Sequence, residues 1–298
     1  MTFAHPALFY RGTDDYLART VPFITDALVA NEPIAVAVPT PRLALLCAEL
    51  GSDADRVHMV NMSEAGRNPG RIIPAVLRAF ADRHPGPVRI IGEPIWPSRS
   101  PAEYPACAQH EALINRAFAG RDATILCPYD TAGLQPEVLD DALVTHPVVI
   151  DGDGSRQSPG FAPDSMVAAY NEPLAVPMDA VAQTTDGGLA DVRRFVTKYA
   201  TDAGLDRVED LVLTVDELAA NSIRHGGGTG TVYFWTEPGH VVCQVADRGH
   251  LADPLAGRIP AGLDQIGGRG LLMVNHLADL VRTHTTPAGT EIRVYFAA

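Results

Sequence analysis

The sequence predicts an α/β protein in two parts: a mostly parallel sheet covered by helices, then an α+β domain whose helices pack on a largely antiparallel sheet. Three observations carry this prediction. Through the first half, short continuously apolar runs alternate with helical segments, as strands buried on both faces do. In the second half, two amphipathic helices precede a strong hairpin signal and a second pair of strands. Between them Asp151 to Pro177 is rich in Gly, Pro, Ser and Asp, a boundary composition, and 298 residues suffice for two cores. The expected divisions are 1–155, a linker over 156–180, and 181–298.

A helix is expected from Asp14 to Ala30. Strands follow at Ile34–Val38, Val57–Met62, Val88–Gly92, Thr124–Cys127 and, more weakly, Val148–Ile150. Between them lie helical stretches at Arg42–Leu50, Arg71–Arg83, Ala102–Phe118 and Pro136–Leu143. Ligands of such sheets usually sit beyond the carboxyl ends of the strands. Here those ends read Pro39-Thr40, Asn61, Gly92-Glu93-Pro94-Ile95-Trp96 and Cys127-Pro128-Tyr129-Asp130. The last two groups supply carboxylates, a thiol and aromatic rings, a lining suited to a small molecule; plain turns are the alternative reading. A nucleotide-hydrolysing sheet of this type needs a glycine-rich loop ending in Lys-Ser/Thr after its first strand, and PTPRLALL stands there.

In the second half Leu189–Ala203 reads as an amphipathic helix with Leu189, Val192, Phe195, Val196 and Tyr199 inward. The next helix is the most informative stretch, LVLTVDELAANSIRHGGG from Leu211 to Gly228. Leu211, Val215, Leu218 and Ile223 form its core stripe. Glu217, Asn221 and His225 stack at successive four-residue steps, so a carboxylate, an amide and an imidazole share one edge. Asn offers an oxygen to a hard cation and Glu can take a proton, although a solvated polar face has the same spacing. The triple glycine stops the helix.

Strands Thr231–Thr236 and His240–Ala246 flank Glu237-Pro238-Gly239, and the second runs into Asp247-Arg248-Gly249. A strand-end carboxylate followed by glycine can accept from an exocyclic amine while a ring approaches the backbone. Gly267, Gly268 and Gly270 open an apolar-periodic helix, where free N–H groups favour phosphate. Strands Leu280–Thr285 and Glu291–Phe296 close the domain around Gly289 and Thr290.

A formal charge of -13 without a Lys/Arg cluster argues against nucleic acid as a partner. The four cysteines, Cys47, Cys107, Cys127 and Cys243, form no C-x-x-C pair and read as reduced thiols. No leader-like start and no apolar run of membrane-spanning length is present, so a cytoplasmic protein is expected.

The first half resembles the MEDS sensory domain, a module related to RecA-type cores, through HPALFY, GRNPGRIIP at Gly66 to Pro74, GEPIWP at Gly92 to Pro97, and CPYD at Cys127 to Asp130. The resemblance implies small-ligand sensing, with His5, Glu93, Trp96, Cys127, Tyr129 and Asp130 as candidates. For His5 a surface or capping role is the alternative. From about residue 180 the boxes resemble, in order, those of the GHKL superfamily with its Bergerat-type ATP-binding sandwich, in the short form of the anti-sigma-factor serine kinases. By that resemblance Asn221 coordinates magnesium and Glu217 is the general base. Asp247 contacts the adenine amine, Gly249 lies beside the ring, and Thr290 supports the contact. Gly268 and Gly270 wrap the phosphates, with Arg269 and His225 as further contacts. The implied cofactors are ATP and Mg2+, and the implied partners an anti-anti-sigma (STAS-type) protein, a sigma factor, or both. Homodimerisation is left open. No histidine lies between His146 and His225, so self-phosphorylation on a dimerising helix is not expected. Leu251 stands where the D-x-G-x-G box has its second glycine, which implies a locally different adenine-side loop and leaves a binding module without phosphoryl transfer as the alternative.

Overall fold

The computed structural model describes residues 2–260 and 268–298 and divides the chain into two compact units, Met1–Tyr170 and Asn171–Ala298. In the first unit the strands are β1 (Phe3–Ala4), β2 (Pro6–Tyr10), β3 (Ile34–Val38), β4 (His58–Asn61), β5 (Val88–Gly92), β6 (Ala123–Asp130), β7 (Val148–Asp151) and β8 (Gly154–Gln157). They form one sheet in the order β4-β3-β5-β6-β2-β7-β8, with β1 also on β6, and every pairing but β7–β8 is parallel. The expected parallel architecture is therefore present. Sequence reading missed β2, a five-residue strand opening on Pro6, and the exposed β8. It also rendered Arg71–Arg83 as one regular helix. The chain instead takes a 3-10 turn at Pro69–Arg71 and a π-helical turn at Ile73–Arg78, because Pro74 has no N–H for a regular ladder.

One face of this sheet buries Leu8, Tyr10, Val36, Ile91 and Leu126 under helices Gly12–Val29 and Thr40–Leu50. Side chains alternate across a strand, so His5, Cys127 and Tyr129 lie on the opposite face, toward helix Tyr104–Ala117. The join carries a short helix, Pro163–Ala169, near the helical possibility at Asp164 to Tyr170 that its sequence offers, and Met166 of that helix is buried against Ala108 and Ala112.

The second unit is a five-stranded antiparallel sheet, β9 (Val181–Thr184), β10 (Gly230–Glu237), β11 (His240–Asp247), β12 (Leu280–Thr286) and β13 (Gly289–Ala297), in the order β12-β13-β11-β10-β9. Helices Leu189–Asp202, Val208–His225 and Gly270–Leu277 bury Val192, Val196, Leu211, Val215, Leu218 and Val274 against Val232, Cys243, Val245 and Val294. This is the expected α+β sandwich, with edge strand β9 added. Glu237 pairs with His240, so the hairpin loop is Pro238-Gly239, and Gly239 takes the positive φ such a turn requires. Residues 171–175 follow the sheet: the Asn171 side chain exchanges hydrogen bonds with the Thr285 backbone at 2.8 and 2.9 Å, and Leu174 N donates to Glu291. Among the described residues no helix is long and apolar enough to cross a membrane.

Candidate functional site

Helix Val208–His225 buries its apolar stripe and leaves Glu217, Asn221 and His225 along one edge. All three line a cleft of about 1340 Å³ in the second unit, and Glu217 and Asn221 are half-buried there. The helix ends at His225, and Gly227 and Gly228 then turn the chain at φ +87° and +89°, where a Cβ would be strained.

One end of the cleft is built around Asp247, the last residue of β11. Ser222 Oγ donates to Asp247 Oδ2 at 2.6 Å, and Gly249 N donates to Oδ1 at 2.8 Å. A carboxylate has room for further donors, so this fixed group still faces the cleft as an acceptor. A methyl on Gly249 would lie 2.6 Å from the His225 carbonyl oxygen, so only glycine fits there. In the β11–β13 register Asp247 stands opposite Thr290, whose hydroxyl donates to Gly249 O at 2.8 Å. That leaves Thr285 Oγ1 to donate to Thr290 Oγ1 at 2.8 Å.

Leu251 belongs to the same network. Its N–H is shared between the hydroxyls of Thr285 at 3.0 Å and Thr290 at 3.3 Å. Among the described residues Asn31 is the one non-glycine residue with positive φ, so Leu251 needs no left-handed backbone. The loop accommodates leucine without the strain its place in the box suggests. Asn171 in turn holds the backbone of Thr285.

The other end of the cleft is the start of helix Gly270–Leu277. Gly268 takes φ +78°, Arg269 is exposed, and both line the cleft with Gly270; Gly267 lies outside the described residues. A methyl on Gly270 would stand 2.5 Å from Glu217 Oε2 and 3.8 Å from Asn221 Nδ2. The helix start, whose first N–H groups have no partner within the helix, thus lies beside the Glu217 carboxylate, with the Asn221 amide next to it. Sequence reading missed Ser222, since its tie to Asp247 depends on how the helix lies on the sheet. It also missed Asp253 to Pro260, whose Leu255 and Ile259 give the cleft an apolar wall.

The six sensing candidates of the first unit do not share one pocket. At the carboxyl edge, Glu93 and Asp130 gather around Arg42, which donates to the Tyr10 hydroxyl at 3.0 Å, lies 3.5 Å from Asp130 and stacks over Tyr16. Burial pushes the Glu93 carboxyl up to about 8, with Arg42 opposing and Asp130 reinforcing the shift. Its Oε2 and the Tyr16 hydroxyl are buried without hydrogen-bond partners. Trp96 stands apart, its ring 3.8 Å beneath Arg99. On the other face His5 is fully buried, not a surface residue, with its Nε2 3.4 Å from Cys127 Sγ; Tyr129 packs edge-on against His146. Burial lowers the His5 imidazole to about 4, aided by His146 and opposed by Glu111, and burial raises the Cys127 thiol.

Comparison with known proteins bears on both units. Residues 4–147 match the MEDS family, the "MEthanogen/methylotroph, DcmR Sensory domain". Residues 182–296 match the "Histidine kinase-like ATPase domain". No curated protein matches the chain. Among solved structures, the RsbU and RsbW domains of Rv1364c from Mycobacterium tuberculosis are similar at 20% identity and a TM-score of 0.31, over 41% of this chain and 33% of that one. The chain thus spans about a third of the length of that structure. The chain is therefore similar to the MEDS sensory domain over residues 4–147 and to the histidine kinase-like ATPase domain over residues 182–296.

Proposed function

We propose that the protein is a signalling regulator in which a sensory unit governs an ATP- and Mg2+-dependent serine kinase, acting on an anti-anti-sigma (STAS-type) partner that it can exchange for a sigma factor. The observation that carries the kinase reading is that a methyl on Gly270 would run into the Glu217 carboxylate and reach the Asn221 amide, so both side chains crowd the start of that helix. It puts a proton acceptor, a hard oxygen ligand and the N–H groups of a helix start around one point of the cleft.

The cleft fits a nucleotide at both ends. At Gly249 and Gly270 an added side chain would meet neighbouring atoms, Gly268 takes a positive φ, and Asp247 and Thr290 are held at the end that would receive a purine. Bound Mg-ATP supplies the transferable phosphoryl group and the cation that screens its charge. Asn221 would hold that cation, and Glu217 would take the proton of the seryl hydroxyl. Asp247 would accept from the purine amine, and Gly268, Arg269 and Gly270 would line the phosphates. His225, at the exposed helix end, would contact nucleotide from the side. The STAS-type or sigma partner rests on the likeness of the sequence boxes to the short anti-sigma kinases, and the sensing role on the MEDS match.

The test is incubation of the full chain with labelled ATP, Mg2+ and candidate STAS-type proteins. Transfer to a partner serine that is lost in Glu217→Ala while nucleotide binding persists is the expected result. Binding without transfer to any partner would make the second unit a nucleotide-gated binding module, and absence of binding would overturn the reading.

A further inference from the structure

We propose that the first unit holds one divalent transition cation of the zinc class between His5, Glu111, Cys127 and His146. These residues come from four places in the chain: the break between β1 and β2, helix Tyr104–Ala117, β6, and the approach to β7. All four are buried, and their ligand atoms lie within 4.8 Å of one another; no other group of this kind is found among the described residues.

The spacing is that of a coordination polyhedron. Glu111 Oε2 lies 3.3 Å from His5 Nε2 and 3.1 Å from His146 Nε2, and Cys127 Sγ lies 3.4 Å from His5 Nε2. Ligands bound tetrahedrally at zinc distances stand roughly 3.3–3.7 Å apart.

The protons of the surrounding network point the same way. Asn115 Nδ2 donates to the carbonyl oxygens of Ala112 and Thr145 at 3.1 and 2.9 Å, so its Oδ1 is the atom facing His5 Nδ1 at 3.2 Å. His5 Nδ1 must therefore carry the hydrogen. His146 Nδ1 lies 3.0 Å from the Ala142 carbonyl oxygen, which can only accept, and 2.9 Å from the Thr145 hydroxyl, which accepts while donating to Asp141 O at 3.1 Å; with the hydrogen on Nδ1 both contacts are satisfied. Both neutral rings then present Nε2 lone pairs to the carboxylate and the sulfur. Glu111 Oε1 and Oε2 and His146 Nε2 have no aligned hydrogen-bond partner, close as they are. Lone pairs gathered in a dry interior are stable around a cation, and the Asn115 and Ala142 contacts are the outer partners that orient ligating histidines.

Two imidazoles, one thiolate and one carboxylate form a borderline-soft set that suits zinc and excludes magnesium or calcium. Four protein ligands close the coordination sphere. The site is thus structural, clasping helix Tyr104–Ala117 to the centre of the sheet. On binding, the Cys127 thiol gives up its proton to solvent and the sulfur lone pair forms the bond to the cation; no electron is transferred.

The test uses the full chain, reduced, stripped with a chelator and titrated with Co2+. One equivalent is expected to bind, with visible ligand-field bands and a near-ultraviolet thiolate-to-cobalt band. The charge-transfer band should vanish in Cys127→Ser and persist in Cys47→Ser, which removes the exposed thiol. His146→Gln keeps the thiol and should weaken cobalt at least tenfold, and Zn2+ should displace Co2+ and raise the melting temperature. A folded wild-type chain that takes up no stoichiometric cobalt, or a band that survives in Cys127→Ser and disappears in Cys47→Ser, would overturn the proposal. Unchanged cobalt affinity in His146→Gln would do so even if Cys127→Ser failed to fold.

Discussion

Ser222 Oγ lies 2.6 Å from Asp247 Oδ2, a bond that ties the helix carrying Glu217 and Asn221 to the strand end that closes the cleft. Ser222 Oγ also approaches Leu218 O at 3.2 Å, but a hydroxyl has one hydrogen and the shorter, charge-assisted contact takes it. Ser222→Ala should therefore act on binding as well as on stability. The lost hydrogen bond is worth about 1–2 kcal/mol in a urea titration. A fluorescent ATP analogue should bind about threefold to tenfold more weakly, because Asp247 keeps its charge and loses one of its two positioners.

Gly270 and Gly249 make a contrasting pair. The Ala side chain in Gly270→Ala meets the movable end of Glu217, in a backbone conformation that alanine accepts. Stability should change little and nucleotide binding should persist in weakened form, while phosphoryl transfer to the partner falls by about a hundredfold, the cost of displacing a reacting group by roughly an ångström. In Gly249→Ala the new methyl meets the backbone carbonyl of His225, which cannot swing aside. Nucleotide binding itself should be lost, as isothermal titration would show.

Leu251→Gly restores the residue the family box has at this position. Leu251 has negative φ and its N–H is already satisfied by Thr285 and Thr290, so glycine relieves no strain. The substitution should leave ATP affinity within about twofold and lower stability by about 0.5–1 kcal/mol, through the freedom glycine adds to the unfolded chain. A large gain in affinity would mean that leucine does obstruct the adenine-side loop.

What could be read from the sequence follows from the range of the forces involved. The Glu217–Asn221–His225 edge needs only helical spacing, and the Pro238-Gly239 hairpin needs only turn chemistry; both were legible and both are present. His5 was legible only as a candidate, because its partners Glu111, Cys127 and His146 lie more than a hundred residues away and meet it through sheet register. The same register separates Cys127 and Tyr129 from Glu93 and Asp130, which local reading had placed in one lining. Strand β2 escaped because five residues opening on proline carry too little pattern, although the strand sits between β6 and β7 at the heart of the sheet.

The Glu93 carboxyl gives the first unit a pH dependence of definite sign. Burial raises its pKa from the ordinary 4.5 to about 8, against the opposing charge of Arg42. Asp130 and the buried hydroxyls of Tyr10 and Tyr16 complete its surroundings. A carboxyl whose folded pKa is raised binds its proton more tightly when folded. Its contribution to stability is complete below the unfolded pKa and is lost as pH rises toward the folded one. Below about pH 6.5 the buried His5, held at about 4, opposes this with a contribution that grows as pH rises, so the unit should lose stability between about pH 6.5 and pH 8, at up to ~1.4 kcal/mol per pH unit, and level off above. Glu93→Gln keeps the shape and removes the titration, so its stability in urea should be flatter over that window and exceed that of the wild type near pH 8. A wild-type profile that rises from pH 6.5 to pH 8, with Glu93→Gln running parallel to it, would mean that Glu93 is ionised in the folded chain and paired with Arg42.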